Sequence, residues 1–129
     1  MVNDAPVTGD EFFRERDRLI SQGKNAEREL DTWEDHLRPL AHTAPETAAQ
    51  ILKTLATSSN SDDREIAAIY VAYLFETRRQ QAISLLENLF QDPNMNVRRQ
   101  ALSTIDEITS DARISADEAA RIASGRQPH

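Results

Sequence analysis

Shifted by 34 positions, this chain lays one apolar frame onto the next, and that recurrence limits its possible folds more than any single motif does. Ala48, Ile51, Leu52, Leu55 and Ala56 fall on Ala82, Leu85, Leu86, Leu89 and Phe90. Downstream, Arg64, Ala67, Ala68, Val71 and Leu74 fall on Arg98, Ala101, Leu102, Ile105 and Ile108. Within each block the spacing is that of one helix face. A weaker echo with smaller side chains follows at Ala116, Ala119, Ala120 and Ala123. Hairpins of short helices bury too little apolar surface to stand alone, so they are expected to stack, with the small alanines closing the end.

Local signals set the helix boundaries. Thr8-Gly9-Asp10-Glu11 forms a capping box for a first helix that carries Phe12, Phe13, Leu19 and Ile20 and stops at Gly23. A second helix is predicted over 26–42, with Ala26, Leu30, Trp33, Leu37 and Leu40 as one stripe and a kink at Pro39 in its last turn. A third, opened by Thr43-Ala44-Pro45-Glu46, runs to about residue 57; a fourth covers 62–76 and a fifth 78–91. Asp92-Pro93 reads as cap and first turn of a sixth, and Ser115-Ala116-Asp117-Glu118 boxes a short seventh. No segment alternates like a half-buried strand. The expected organisation is one domain: 8–42 as a leading hairpin, 45–76 and 78–109 as two repeats, 115–124 as a capping helix, and 1–7 and 125–129 disordered.

With 129 residues, 39% of them hydrophobic, the chain can bury one core without staples. The absence of cysteine excludes disulfides, thiolate zinc sites and cysteine nucleophiles. The longest apolar run, 66–75, is too short to span a membrane, and the N-terminus lacks the basic-then-apolar order of a signal peptide, so a cytoplasmic location is expected. Acidic residues outnumber basic ones by 22 to 15, a net charge of −7 that repels a phosphate backbone.

The segment Leu85-Leu86-Glu87-Asn88-Leu89-Phe90-Gln91-Asp92-Pro93, followed by Asn96-Val97-Arg98-Arg99-Gln100-Ala101-Leu102, resembles a HEAT repeat: an apolar first helix, an Asp-Pro turn, then Val-Arg with an alanine three residues on. The preceding hairpin resembles it less closely, with Ser58-Ser59 in place of Asp-Pro and Asp63 in place of the valine. The resemblance covers about 80 residues and implies an all-α fold, a short right-handed α-solenoid of about seven helices. It also implies a protein-binding scaffold rather than an activity, and a ladder between neighbouring turns made by Asp92, Arg98 and Arg64, which are therefore read as scaffold.

Catalytic chemistry finds little support. His36 and His42 are six residues apart, about 240° around a helix, and do not converge on one ion. Asp35 shares a face with His42, but both histidines read as solvated surface residues. No glycine-rich phosphate loop or nucleophile elbow is present; neither an enzyme nor a cofactor, metal or small-molecule substrate is expected. The acidic run Glu27, Glu29, Asp31, Glu34, Asp35 lies opposite the Leu30-Trp33-Leu37 stripe and reads as a solvated face. The basic clusters Arg14-Arg16-Arg18, Arg78-Arg79 and Arg98-Arg99 are interleaved with or follow acids, so nucleic acid is not expected as a partner.

The repeats disagree most in the fourth helix. There Ile66, Ile69, Tyr70 and Tyr73 fall on Gln100, Ser103, Thr104 and Glu107 of the sixth, giving Ile66, Ile69 and Tyr73 as a second apolar stripe outside the Ala67-Val71-Leu74 core. Such a stripe is buried against the leading hairpin, with Trp33 or Leu37 as neighbours, or is a binding patch; Ile66 and Tyr70 sit nearest the core and Ile69 farthest. The expected function is protein binding through the fourth and sixth helices, with Ile69 and Tyr73 as anchors and Glu65, Arg99 and Asp106 as polar selectors. The partner is another protein, possibly a basic one, or a second copy of this chain. The alternative is an acidic inhibitor of the immunity or antitoxin type that blocks a basic partner.

Overall fold

The computed structural model describes residues 8–111 and 114–124, and every element among them is helical, with no strand. In chain order these are α1 (Gly9–Ser21), a 3-10 turn (Gly23–Ala26), α2 (Glu27–Glu34), α3 (Leu37–Thr43), α4 (Pro45–Ala56) and α5 (Ser61–Tyr70). A 3-10 segment (Val71–Glu76), α6 (Arg79–Phe90), α7 (Met95–Ser110) and α8 (Ala116–Ser124) follow. No helix among the described residues is long and apolar enough to cross a membrane. The segments 1–7 and 125–129, expected to be disordered, and the side chain of Ala123 lie outside the described residues.

Caps explain where most helices begin. Thr8 Oγ1 accepts the Glu11 N–H at 3.1 Å, and Ser115 Oγ accepts the Glu118 N–H at 3.1 Å, as both capping boxes predict. α1 ends at Gly23, whose φ of 69° lies in the left-handed region that glycine enters at little cost.

Between residues 44 and 111 the structure repeats its local chemistry at the 34-residue interval of the sequence. α4 and α6 are each 12 residues long and follow residues of nearly equal backbone angles, Ala44 at φ −143°, ψ 67° and Arg78 at φ −141°, ψ 62°. α5 and α7 are capped by Asn60 and Asn94, whose Oδ1 atoms accept the N–H of Asp62 at 2.9 Å and of Asn96 at 2.8 Å. The Asn60 N–H donates to Ser58 Oγ at 3.1 Å, and the Asn94 N–H to Asp92 Oδ1 at 2.8 Å. Arg64 Nη1 donates to the Ser58 carbonyl at 2.9 Å, and Arg98 Nη1 to the Asp92 carbonyl at 2.6 Å. Ser58 thus does with its hydroxyl what Asp92 does with its carboxylate. α4 packs on both α5 and α6, and α5 packs on α7; α8 covers α6 and α7, while α1 and α3 lie against α4. One core runs through all of them, from Phe12 and Leu37 through Ile51, Leu55, Leu74 and Leu89 to Ile108 and Ile122.

The structure corrects four expectations. The predicted second helix is divided into α2 and α3 by a turn at Asp35 and His36. Pro39 is the cause: it has no N–H to give the Asp35 carbonyl, and its ring crowds that carbonyl, so the break falls four residues before the proline. The Asp35 carbonyl instead accepts the Arg38 N–H at 3.1 Å.

The predicted fourth helix tightens into a 3-10 segment after Tyr70. At three residues per turn rather than 3.6, each residue is rotated by about 20° more, so Tyr73 turns by about 60° away from Ile69 and onto Tyr70. Those two rings lie 6.1 Å apart.

Asp92 does not cap α7; Asn94 does. The Asp92 carboxylate is taken by Arg64, with Nε at 2.6 Å and Nη2 at 3.2 Å. Leu102, expected on the buried frame, is 49% exposed, whereas its counterpart Ala68 is fully buried. Ala68 lies under α7; nothing among the described residues covers Leu102 in the same way.

Candidate protein-interaction surface

The leading segment is held to the repeats by a buried ion cluster. Arg16 on α1 donates through Nε to Glu34 Oε2 on α2 and through Nη2 to Asp63 Oδ1 on α5, both at 2.7 Å. Ser58 Oγ donates to the other Asp63 oxygen at 2.7 Å. Arg16 and Glu34 are 6% exposed, so two sequence readings are corrected: Glu34 is not part of a solvated acidic face, and Arg16 is not part of a basic surface cluster. Burial pushes the Glu34 carboxyl above its ordinary range despite the guanidinium beside it. For Arg16 burial opposes the charge, yet the two carboxylates hold the guanidinium protonated more firmly than usual.

Above this cluster α2, α3 and the 3-10 segment enclose an open groove of about 710 Å³. Tyr73 and Glu76 form one wall, because residues three apart eclipse on a 3-10 helix, while Asp35, His36, Pro39 and His42 form the other. Trp33 anchors this wall from below. Its Nε1 donates to the Phe12 carbonyl at 3.0 Å, its ring stacks on Phe12, and His36 meets it edge-on at 4.9 Å between centroids. His36 Nδ1 lies 2.9 Å from the Trp33 carbonyl, an acceptor only, so Nδ1 carries the proton. His36 is therefore half-buried rather than solvated, a further correction; His42 is exposed and pairs with Glu76 at 2.8 Å.

Asp35 joins the groove to α5. It accepts the Tyr70 hydroxyl at 3.1 Å and pairs with Arg38, whose hydrogen bond holds its carboxyl below the ordinary range. Burial, then the Asp35 charge, pushes the Tyr70 hydroxyl up, so it stays a donor. The groove's charges are thus paired with one another, and no group of three or more His, Asp or Glu among the described residues could hold a metal ion. The arrangement suits an amphipathic surface that packs against its rings.

The five predicted contact residues fall on two surfaces. Tyr73 faces the groove. Ile69, 39% exposed, stays on the outer side of α5, one turn beyond the partly buried Glu65. Arg99 and Asp106 are exposed on α7, with Met95 and Leu102 on the same ridge. Glu65 and Arg99 hold equivalent places 34 residues apart on packed helices, but no ion pair joins them. Sequence reasoning missed Met95, which has no apolar counterpart one repeat earlier, and Leu102, which it counted as core. It also missed the pairing of Trp33 with His36; their i, i+3 spacing was the available signal.

No family model, curated protein or solved structure matches this chain.

Proposed function

We propose that this chain is a short HEAT-like α-solenoid acting as a non-enzymatic protein-binding module, which takes its partner on the outer faces of α5, the 3-10 segment and α7. The architectural part of the reading draws on the hydrogen bonds that recur 34 residues apart and on the side-by-side packing of α4 with α6 and α5 with α7. One observation carries the functional part. The exposed large apolar side chains are Ile20, Ile69, Met95 and Leu102, and three of these four lie on α5 and α7. Exposed apolar anchors in a polar rim are what protein interfaces are built on.

The test is capture of partners from the native host by immobilised full-length chain. Ile69→Glu combined with Tyr73→Ala should lower recovery of a specific partner by about tenfold or more, the size expected for losing one interface anchor. Ile20→Glu, on α1, should leave recovery unchanged. Equal recovery by all three proteins would overturn the reading.

An acidic inhibitor remains the second reading because Glu27, Glu29 and Asp31 are solvent-exposed on α2. Salt separates the two: steering by that face should lose association rate steeply as ionic strength rises, and apolar anchoring should not.

A further inference from the structure

The ridge of α7 that points away from α5 has a pattern no other exposed face of the chain shows. Met95, Arg99, Leu102 and Asp106 follow one another at steps of four, three and four, which places them on a single line of the helix. Thr104, about 200° away from Leu102, marks the opposite side: its hydroxyl donates to the Ala68 carbonyl of α5 at 2.6 Å. The position of Leu102 is the position at which α5 receives α7, since Ala68 is its counterpart 34 residues earlier and is fully buried. α8 packs on α6 and α7 yet leaves Met95 54% and Leu102 49% exposed. Arg99 and Asp106 make no ion pair with any described residue.

We propose that this ridge binds a second copy of the chain, two α7 helices packing antiparallel across a two-fold axis with the Leu102 side chains at the centre. This rests on the reading of α7 as part of a binding face and names what it binds. The charges select the occupant and its direction. Along the ridge a cation precedes an anion by seven residues, with Leu102 between them. Opposing Arg99 to the partner's Asp106 makes the reciprocal pair form as well, and it sets the axis between Leu102 and Ser103. The same register places Met95 against the small polar Ser110 and Thr109 of the partner. A parallel pairing would set like charges together. A two-fold contact needs such a self-complementary patch. The charges, being at the rim, fix orientation, while Met95 and Leu102 supply the burial. So small a contact gives a weak, concentration-dependent dimer.

Analytical ultracentrifugation of the full chain over a wide concentration range tests this. The wild type should pass from monomer to dimer mass as concentration rises. Arg99→Asp and Asp106→Arg should each weaken the dimer by about tenfold or more, because each puts two like-charge contacts across the axis. The double variant carrying both changes should restore it to within about threefold, since it only inverts the pair. Leu102→Glu should give monomer at every concentration. All four residues are exposed, so circular dichroism and melting temperature should be unchanged in the variants.

A wild type that stays monomeric, a double variant that fails to recover, or a Leu102→Glu chain that still dimerises would each overturn the proposal. None of these alters the capture contrast at Ile69 and Tyr73, so the dimer can fail while the binding-module reading stands, and the reverse.

Discussion

Two arginines tie neighbouring parts of this molecule together, and they do so in different ways. Arg64 spans the two repeated hairpins: it holds Asp92 bidentately and the Ser58 carbonyl, and the same carbonyl contact recurs at Arg98. Arg16 joins the leading segment to the first repeated hairpin through Glu34 and Asp63, with no counterpart elsewhere in the 34-residue frame. At the first seam the guanidinium wins: burial works against the Asp92 charge, but Arg64 and the Asn94 N–H hold its carboxyl below the ordinary range. At the second, burial wins and Glu34 is pushed up. A periodic seam can place its carboxylate in a turn where backbone N–H groups help to solvate it. A single seam must bury whatever charges the leading segment supplies.

The largest expected effect is at the single seam. Arg16→Ala leaves Glu34 buried without a partner and should destabilise the domain by about 3–5 kcal/mol in urea unfolding. Replacing both, Arg16→Met with Glu34→Leu, should recover most of that loss, because Asp63 keeps the Ser58 hydroxyl. A single variant as stable as wild type would show that the leading segment is held by Phe12, Leu37 and Trp33 alone. Asp92→Ala should cost about 2–3 kcal/mol, more than a lost helix cap, since it removes a charged pair and the acceptor of the Asn94 N–H together. Asp92→Asn keeps that acceptor and should cost less. If the two cost the same, the ion pair alone accounts for the loss.

Neighbouring residues on α7 sharpen the contrast between covered and open surfaces. Ala101 is fully buried, and Ala101→Leu should cost about 1–3 kcal/mol by overpacking. Leu102→Ala, one residue on, should stay within about 0.5 kcal/mol in thermal melts at low concentration, where any dimer is dissociated. Equal costs at the two positions would mean that Leu102 is packed in solution.

What the sequence revealed follows from the range of each interaction. The helical class, the Thr8 and Ser115 caps and the 34-residue frame depend on neighbours within a turn or two, and those were legible. Pro39 was legible as a disruption, but its effect lands on the carbonyl four residues earlier, so the kink was placed too late. The 3-10 segment was not legible. Its six residues, Val71–Glu76, pack Val71, Ala72, Leu74 and Phe75 inward, a tertiary demand that no cap or breaker announces. The Arg16 cluster joins residues 18 and 47 apart, and a helix wheel cannot pair them. The departures from the HEAT pattern at Ser58 and Asp63 prove informative in retrospect: Asp63 faces Arg16 where Val97 has only apolar surroundings. Of the candidate surface, Ile69 could be placed from its wheel position, while Leu102 could not, because its exposure depends on a further helix being absent beside α7.

The smallest expected effect separates the two seams by pH. A carboxylate whose folded pKa is depressed contributes stability that is present above its unfolded pKa and is lost as pH falls through the folded value. Asp92 is of this kind, as are Asp35, held by Arg38, and Glu15, held by Arg18. Glu34 has the opposite sign. Its folded state binds a proton more readily than its unfolded state, so falling pH between its raised value and the ordinary carboxylate range adds stability. Urea midpoints followed downward from neutral pH should therefore first be held up by Glu34 and then fall, below the ordinary carboxylate range, as Asp92 is protonated. Glu34→Gln should remove the first effect and leave the acid limb. Asp92→Asn should flatten the acid limb and leave the first effect. An upper region that keeps its shape in Glu34→Gln would show that desolvation does not govern the Arg16 seam, and the contrast between single and periodic seams would then reduce to geometry.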